Sequence, residues 1–140
     1  MANKLGVPIM VGTDVTDSYV FAGFSLHDEL YELTRSGLSN LEALQSATII
    51  PAKFSNIEED YGSVEIGKKA DLVLLNKNPL ENIKNSQNID GVLLSGVFYD
   101  VEKLTELKEF TETAASSFHM NVKTFISLLN SPLIRVQFAD

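Results

Sequence analysis

The sequence has 140 residues, with 11 lysines and arginines against 19 aspartates and glutamates, for a formal net charge of −8. This balance argues against a nucleic-acid partner, because such proteins need a stripe of basic side chains and only two arginines, Arg35 and Arg135, are present. Cysteine is absent, which excludes disulfides and thiolate chemistry. The apolar runs are far shorter than the ~20 residues of a membrane span, and no signal-peptide pattern appears, so we expect a cytoplasmic protein.

The first predicted element is a buried strand. Residues 5–13 are apolar throughout, without the alternation of a half-exposed strand, and this pattern predicts a parallel strand with its core at Val7 to Val11. Asp14 follows directly. Because ligands collect at the carboxyl ends of parallel strands, Asp14 is the first candidate for a metal ligand or a general base. The alternative is that Asp14 or Asp17 only caps a turn or a helix.

The next segment has the spacing of an amphipathic helix. Leu26, Leu30 and Leu33 recur at intervals of four and three residues. Ser25 is predicted as the N-cap, and Gly37 fits the position after the helix end.

His27 stands at the start of this helix beside two acids, Asp28 and Glu29. The spacing is not that of a His-Glu-x-x-His metalloprotease helix, because position 31 is a tyrosine. An acidic first turn also stabilises a helix dipole, so a purely structural role for the cluster stays open.

Two short helices follow. Ser39 and Glu42 predict a capping box, and Pro51 predicts a further helix over residues 51–57 because proline suits a first helical turn.

From Gly62 the pattern changes to that of a small β unit. Strands are predicted around residues 64–66 and 70–75, and a hairpin is predicted from Gly91 to Tyr99 with its turn at Ser95 and Gly96.

The last forty residues return to helical spacing. Apolar residues spaced by threes and fours from Val101 to Phe118 predict a long amphipathic helix behind a cap at Asp100, and residues 125–129 predict a short one.

Several motifs follow one another in a fixed order. Gly-Val-Pro-Ile-Met-Val-Gly-Thr-Asp ends at residue 14, Ser-Leu-His-Asp-Glu-Leu spans 25–30, Gly-Leu-Ser-Asn-Leu-Glu-Ala-Leu-Gln-Ser-Ala-Thr spans 37–48, and Gly-Lys-Lys-Ala-Asp-Leu-Val-Leu spans 67–74. This order resembles the C-terminal portion of the amidohydrolase superfamily, and within it the imidazolonepropionase and prolidase-like branch.

The resemblance implies a (β/α)8 barrel with one or two divalent metals, commonly zinc, and a smaller β-sandwich. In that scheme Asp14 is the acid after the eighth barrel strand, a metal ligand and proton shuttle, and His27 lies near the substrate mouth as a candidate substrate-binding residue. The expected fold class is α/β. We expect the last barrel strand and following helices over 1–58, the C-terminal part of the β-sandwich over 59–100, and a helical tail over 101–140.

The resemblance also implies what the chain lacks. The family binds metal through residues after the first, fourth, fifth and sixth barrel strands, and this sequence starts at the eighth. A single carboxylate does not fix a catalytic zinc, which uses about three protein ligands. We therefore expect a C-terminal fragment that is inactive and metal-free by itself. Its complete parent would hydrolyse a C–N bond in a small amide, cyclic amide or dipeptide. The alternative is a non-enzymatic oligomerisation or interaction module.

A barrel strand without its neighbours exposes unpaired backbone groups and apolar surface. We therefore expect a homo-oligomer formed by domain swapping or strand addition between copies.

Overall fold

Helices and a small antiparallel sheet make up the α/β computed structural model, which describes residues 5–15, 20, 22–116 and 122–123. Its helices and strands, in chain order, are α1 (Ser25–Arg35), α2 (Asn40–Ser46), α3 (Ile49–Phe54), β1 (Leu72–Leu75), a 3₁₀ helix (Ile83–Gln87), β2 (Ile89–Leu94), β3 (Val97–Asp100) and α4 (Val101–Ser116). The chain divides into two compact units, residues 1–100 and residues 101–140. The predicted division of the first unit at residue 58 stays a prediction.

The predicted strand at Val7 to Val11 is wrong for this structure, in which residues 7–14 adopt no regular strand. A strand exists only where a neighbour completes its ladder, and an apolar run cannot supply that neighbour. What holds the segment here is a backbone hydrogen bond from Val11 N to Ser46 O, 3.1 Å long, at the end of α2.

The helix starts are set by local geometry. Phe24, not the predicted Ser25, occupies the N-cap of α1, where it has helical dihedral angles (φ −82°, ψ −48°) and makes no side-chain cap. Gly37 follows the end of α1 with φ +104°, as predicted. The capping box of α2 is confirmed, with Ser39 Oγ accepting from Glu42 N at 3.2 Å and Ser39 N donating to Glu42 Oε2 at 2.7 Å.

α3 begins at Ile49, two residues before the predicted start, and ends at Phe54. Pro51 still lies in the first turn, where its missing N–H removes no helical hydrogen bond.

The core of the first unit is small. Leu30 of α1, Ala43 of α2 and Ile83 of the 3₁₀ helix form its buried cluster, and Val11 packs against it. The irregular segment before Asp14 is therefore attached to the helices by both a hydrogen bond and apolar contact.

The sheet has the strand order β1-β2-β3, antiparallel throughout. Ser95 and Gly96 connect β2 and β3 with φ values of +50° and +82°, as a two-residue type I′ turn requires, so the predicted hairpin is confirmed. The strand predicted at Val64 to Ile66 is wrong: these residues lie in turns and loops, and the Ile66 side chain is fully exposed.

Both faces of the sheet carry apolar side chains. The register places Val73, Leu94 and Val97 on one face and Leu74 and Phe98 on the other. Each of these five side chains is half exposed or more. The sheet therefore presents apolar surface to both sides.

α4 confirms the predicted long helix from Val101 to Ser116. Leu104 and Ala114 are half-buried, whereas Leu107 and Phe110 are exposed. The predicted continuation to Phe118 and the short helix at 125–129 lie outside the described residues. None of the helices in the described part of the chain is long and apolar enough to span a membrane.

Candidate functional site

Asp14 ends the irregular apolar segment with an exposed side chain and a backbone φ of +53°. Positive φ is uncommon for residues other than glycine, although aspartate is among those that tolerate it. Such conformations cost on the order of 1–3 kcal/mol and cluster at functional sites.

Two other non-glycine residues among those described have positive φ, and local structure explains both. Asn56 (φ +56°) follows the C-cap of α3, where a left-handed residue commonly ends a helix. Ser95 (φ +50°) lies in the hairpin turn. Asp14 belongs neither to a helix end nor to a hairpin. Its conformation is therefore the one that secondary structure does not account for.

The position of Asp14 depends on an anchor three residues earlier. Val11 N donates to Ser46 O, and Ser46 is completely buried, its hydroxyl donating to Ala43 O at 2.6 Å. This anchor ties the segment to the end of α2.

His27 lies in the first turn of α1, part-buried, with its Nδ1 3.0 Å from Ser86 Oγ in the 3₁₀ helix. Ser86 is 7% exposed. The contact joins residues 59 apart in the sequence. Sequence reasoning did not identify Ser86, because an isolated serine in a polar run without periodicity gives no signal.

A second contact reinforces the packing of α1 on the 3₁₀ helix. Lys84 Nζ lies 4.2 Å from the centroid of the Tyr31 ring, a cation–π contact.

A groove of about 900 Å³ lies beside the apolar segment but contains neither candidate residue. Residues 6–10 form one side, and Leu38 with residues of α2 and α3 forms the other. Its lining includes one acid, Glu42, and one base, Lys53. The groove is therefore distinct from the predicted site at Asp14.

The resolved pKa shifts arise in exposed local contacts. A hydrogen bond from Ser63 Oγ (2.5 Å) lowers the pKa of Glu65, and Lys68 Nζ at 3.4 Å adds to the effect. The hydrogen bond of Lys69 Nζ to the Tyr61 hydroxyl (3.0 Å), together with the negative charge of Asp60, raises the pKa of Lys69. All of these groups lie in the loop between α3 and β1.

The described residues do not by themselves fit a complete divalent metal site. Asp14 offers one carboxylate, and no group of three or more histidine, cysteine, aspartate or glutamate side chains able to hold a metal occurs in the described ranges. A catalytic zinc uses about three protein ligands.

Comparison with known proteins supports the motif-based interpretation. Residues 1–98 match the amidohydrolase family. The chain belongs to the amidohydrolase family. The resemblance inferred from the order of its motifs is therefore confirmed.

Individual amidohydrolases are similar to the chain in sequence and in structure. The chain is 31% identical to a 5'-deoxyadenosine deaminase from Methanobrevibacter smithii, covering 61% of this chain and 23% of that protein. It is 30% identical to an imidazolonepropionase from Thermoplasma acidophilum, covering 64% and 22%. A crystal structure of a Xaa-Pro dipeptidase with bound methionine is 36% identical, with a TM-score of 0.64 over 71% of this chain and 24% of that one. The chain thus spans about a quarter of the length of these relatives.

Proposed function

We propose that this chain is the C-terminal portion of a metal-dependent hydrolase that cleaves the C–N bond of a small amide, cyclic amide or dipeptide. The observation that carries the proposal is the family match over residues 1–98, within which Asp14 closes the first motif. Two of the similar proteins are named as an imidazolonepropionase and a Xaa-Pro dipeptidase, and both names are consistent with hydrolysis of a C–N bond.

Asp14 is the catalytic carboxylate of the proposed site. Its side chain is exposed, and its backbone conformation is not explained by a helix end or a hairpin. An ionised carboxylate in this position takes a proton from the attacking water and returns it to the leaving nitrogen, which is general base and then general acid catalysis. In the complete protein it would also be one ligand of a divalent metal, which we propose to be zinc.

His27 is the proposed substrate-binding residue. Its hydrogen bond to Ser86 holds the imidazole at the start of α1, where the family resemblance expects the substrate mouth. This role is independent of the proton transfer assigned to Asp14.

The same proposal covers the architecture. Residues 1–58 would complete a (β/α)8 barrel, and residues 59–100 would form part of a β-sandwich. The sheet β1-β2-β3 supports the second part, because apolar side chains on both of its faces are typical of strands covered on two sides. Residues 101–140 would be a helical tail.

By itself the 140-residue chain is proposed to be inactive and metal-free, since Asp14 alone cannot fix a metal. We also propose that the complete hydrolase acts in the cytoplasm on a small molecule and that the chain binds neither nucleic acid nor membrane.

A non-enzymatic oligomerisation module is the second candidate, and the exposed apolar sheet favours it. Contiguous apolar surface on a folded domain marks interaction sites. Such a module would be a homo-oligomer built by strand addition or domain swapping.

The two candidates differ in what precedes Met1 in the reading frame and in whether Asp14 matters for turnover. The family resemblance implies a His-x-His pair of metal ligands after the first barrel strand. Such a motif encoded some hundreds of residues upstream would support the hydrolase, and an upstream sequence without one would support the module. In the complete hydrolase, Asp14→Asn should lower kcat by about 10²- to 10⁴-fold, the range typical of a lost general base. Asp90→Asn, which removes an exposed acid of β2, serves as the matched control. Equal activity of the two variants would remove Asp14 from the mechanism.

A further inference from the structure

α1 packs on the 3₁₀ helix through two neighbouring layers of side chains, one polar and one apolar. His27 and Ser86 form the polar layer. Leu30 and Ile83, 4% and 3% exposed, belong to one buried cluster. His27 precedes Leu30 by three residues and Ser86 follows Ile83 by three, so each lies one turn away on the same face of its helix. An apolar layer therefore fixes the distance at which the polar pair meets.

The Ser86 hydroxyl has one side-chain partner among the described residues, and that partner is His27 Nδ1 at 3.0 Å. A hydroxyl carries one donor hydrogen, and a buried donor left without an acceptor is unfavourable. Ser86 can satisfy its donor through Nδ1 only if that nitrogen carries a lone pair. The proton of the neutral imidazole then lies on Nε2.

We propose that Ser86 is a positioning residue that fixes His27 in its Nε2–H tautomer. In that tautomer the second ring nitrogen is a hydrogen-bond donor, which suits an acceptor oxygen such as a substrate carbonyl or carboxylate. It does not suit a general base or a metal ligand, since both need a lone pair on the nitrogen. The use of this donor on a substrate rests on the proposed function, whereas the tautomer does not.

The tautomer is measured directly on the 140-residue chain. Long-range ¹H–¹⁵N correlation spectra, recorded above the titration range of histidine, distinguish a protonated from an unprotonated ring nitrogen. The sequence has two histidines, and His119→Gln assigns the signals of His27. We expect an unprotonated Nδ1 and a protonated Nε2. A protonated Nδ1 in the unmodified chain would overturn the proposal without any variant.

Ser86→Ala removes the donor and should shift the tautomer ratio by about two- to tenfold, the effect of one hydrogen bond of ordinary strength. Ser86→Thr keeps a hydroxyl and should restore the original ratio. Ser46→Ala is the matched control, because it removes another buried hydroxyl, one that bonds to Ala43 O instead. If Ser86→Ala folds and the tautomer ratio of His27 is unchanged, Ser86 contributes only to packing and the proposal is wrong. The NMR measurement does not depend on catalytic turnover. The tautomer proposal can therefore fail or succeed independently of the hydrolase proposal.

Discussion

Replacing Gly62 with alanine tests how closely the loop after α3 approaches the helix. Gly62 has φ +93°, and a Cβ atom there would lie 2.8 Å from Ala52 Cβ, 3.0 Å from Ile49 Cα and 3.2 Å from Thr48 O. Two of these three atoms belong to the backbone, so the overlap is not relieved by a side-chain rotation. Alanine therefore has an unfavourable backbone conformation and insufficient space.

The magnitude follows from the two costs. An alanine in the left-handed region costs about 1–2 kcal/mol, and overpacking adds about 1–3 kcal/mol. Gly62→Ala should therefore lower the free energy of unfolding by about 2–5 kcal/mol. Gly67→Ala is the matched control: Gly67 has φ +95°, but a Cβ atom there meets nothing within 4 Å. It should cost about 1–2 kcal/mol, the backbone part alone.

Urea unfolding followed by circular dichroism gives both values. The difference between the two variants, about 1–3 kcal/mol, isolates the steric part. Equal destabilisation by both substitutions would refute the close packing of Gly62 on α3.

Three further predictions concern single side chains. Ser39→Ala should lower the free energy of unfolding in urea by about 1 kcal/mol, because it removes the capping box of α2. Ser36→Ala, at the exposed C-cap of α1, should have little effect. Equal effects of the two substitutions would contradict the role of Ser39 as a cap. Leu30→Ala should cost about 2–5 kcal/mol in the same assay because Leu30 is 4% exposed, and a loss below about 1 kcal/mol would place it outside the core. Ser63→Ala should raise the pKa of Glu65 toward its ordinary value, as followed by carboxyl NMR. Because the folded-state pKa of Glu65 is lowered, its contribution to stability is present above the unfolded-state pKa and is lost as the pH falls through the folded-state pKa. An unchanged Glu65 titration would remove Ser63 as the main cause.

Local interactions made part of the fold predictable. The capping box of Ser39 and Glu42 and the turn at Ser95 and Gly96 each depend on residues within four positions, so their sequence signals determined the structure. Gly37 is a similar case, since a glycine at a helix end adopts positive φ without strain.

Features that depend on distant partners were not predictable in the same way. The apolar run at Val7 to Val11 has the composition of a buried strand, but a strand also requires neighbouring strands. Short alternation at Val64 to Ile66 failed for the same reason.

The candidate site also combines features that the sequence predicted with features that depend on the folded chain. The motif that ends at Asp14 identified the family, but the positive φ of Asp14 depends on the backbone path of the folded segment. The contact of His27 with Ser86 joins positions 59 residues apart through the packing of α1 on the 3₁₀ helix, and no short-range pattern encodes it.

The zinc content of the purified 140-residue chain is the most direct test of the proposed incomplete metal site. The chain would be produced with zinc in the medium, dialysed against metal-free buffer and analysed by elemental mass spectrometry. Because Asp14 is the single donor assigned to the site, we predict far less than one zinc per chain, unchanged in Asp14→Asn. One tightly held zinc per chain, lost in Asp14→Asn, would contradict the account.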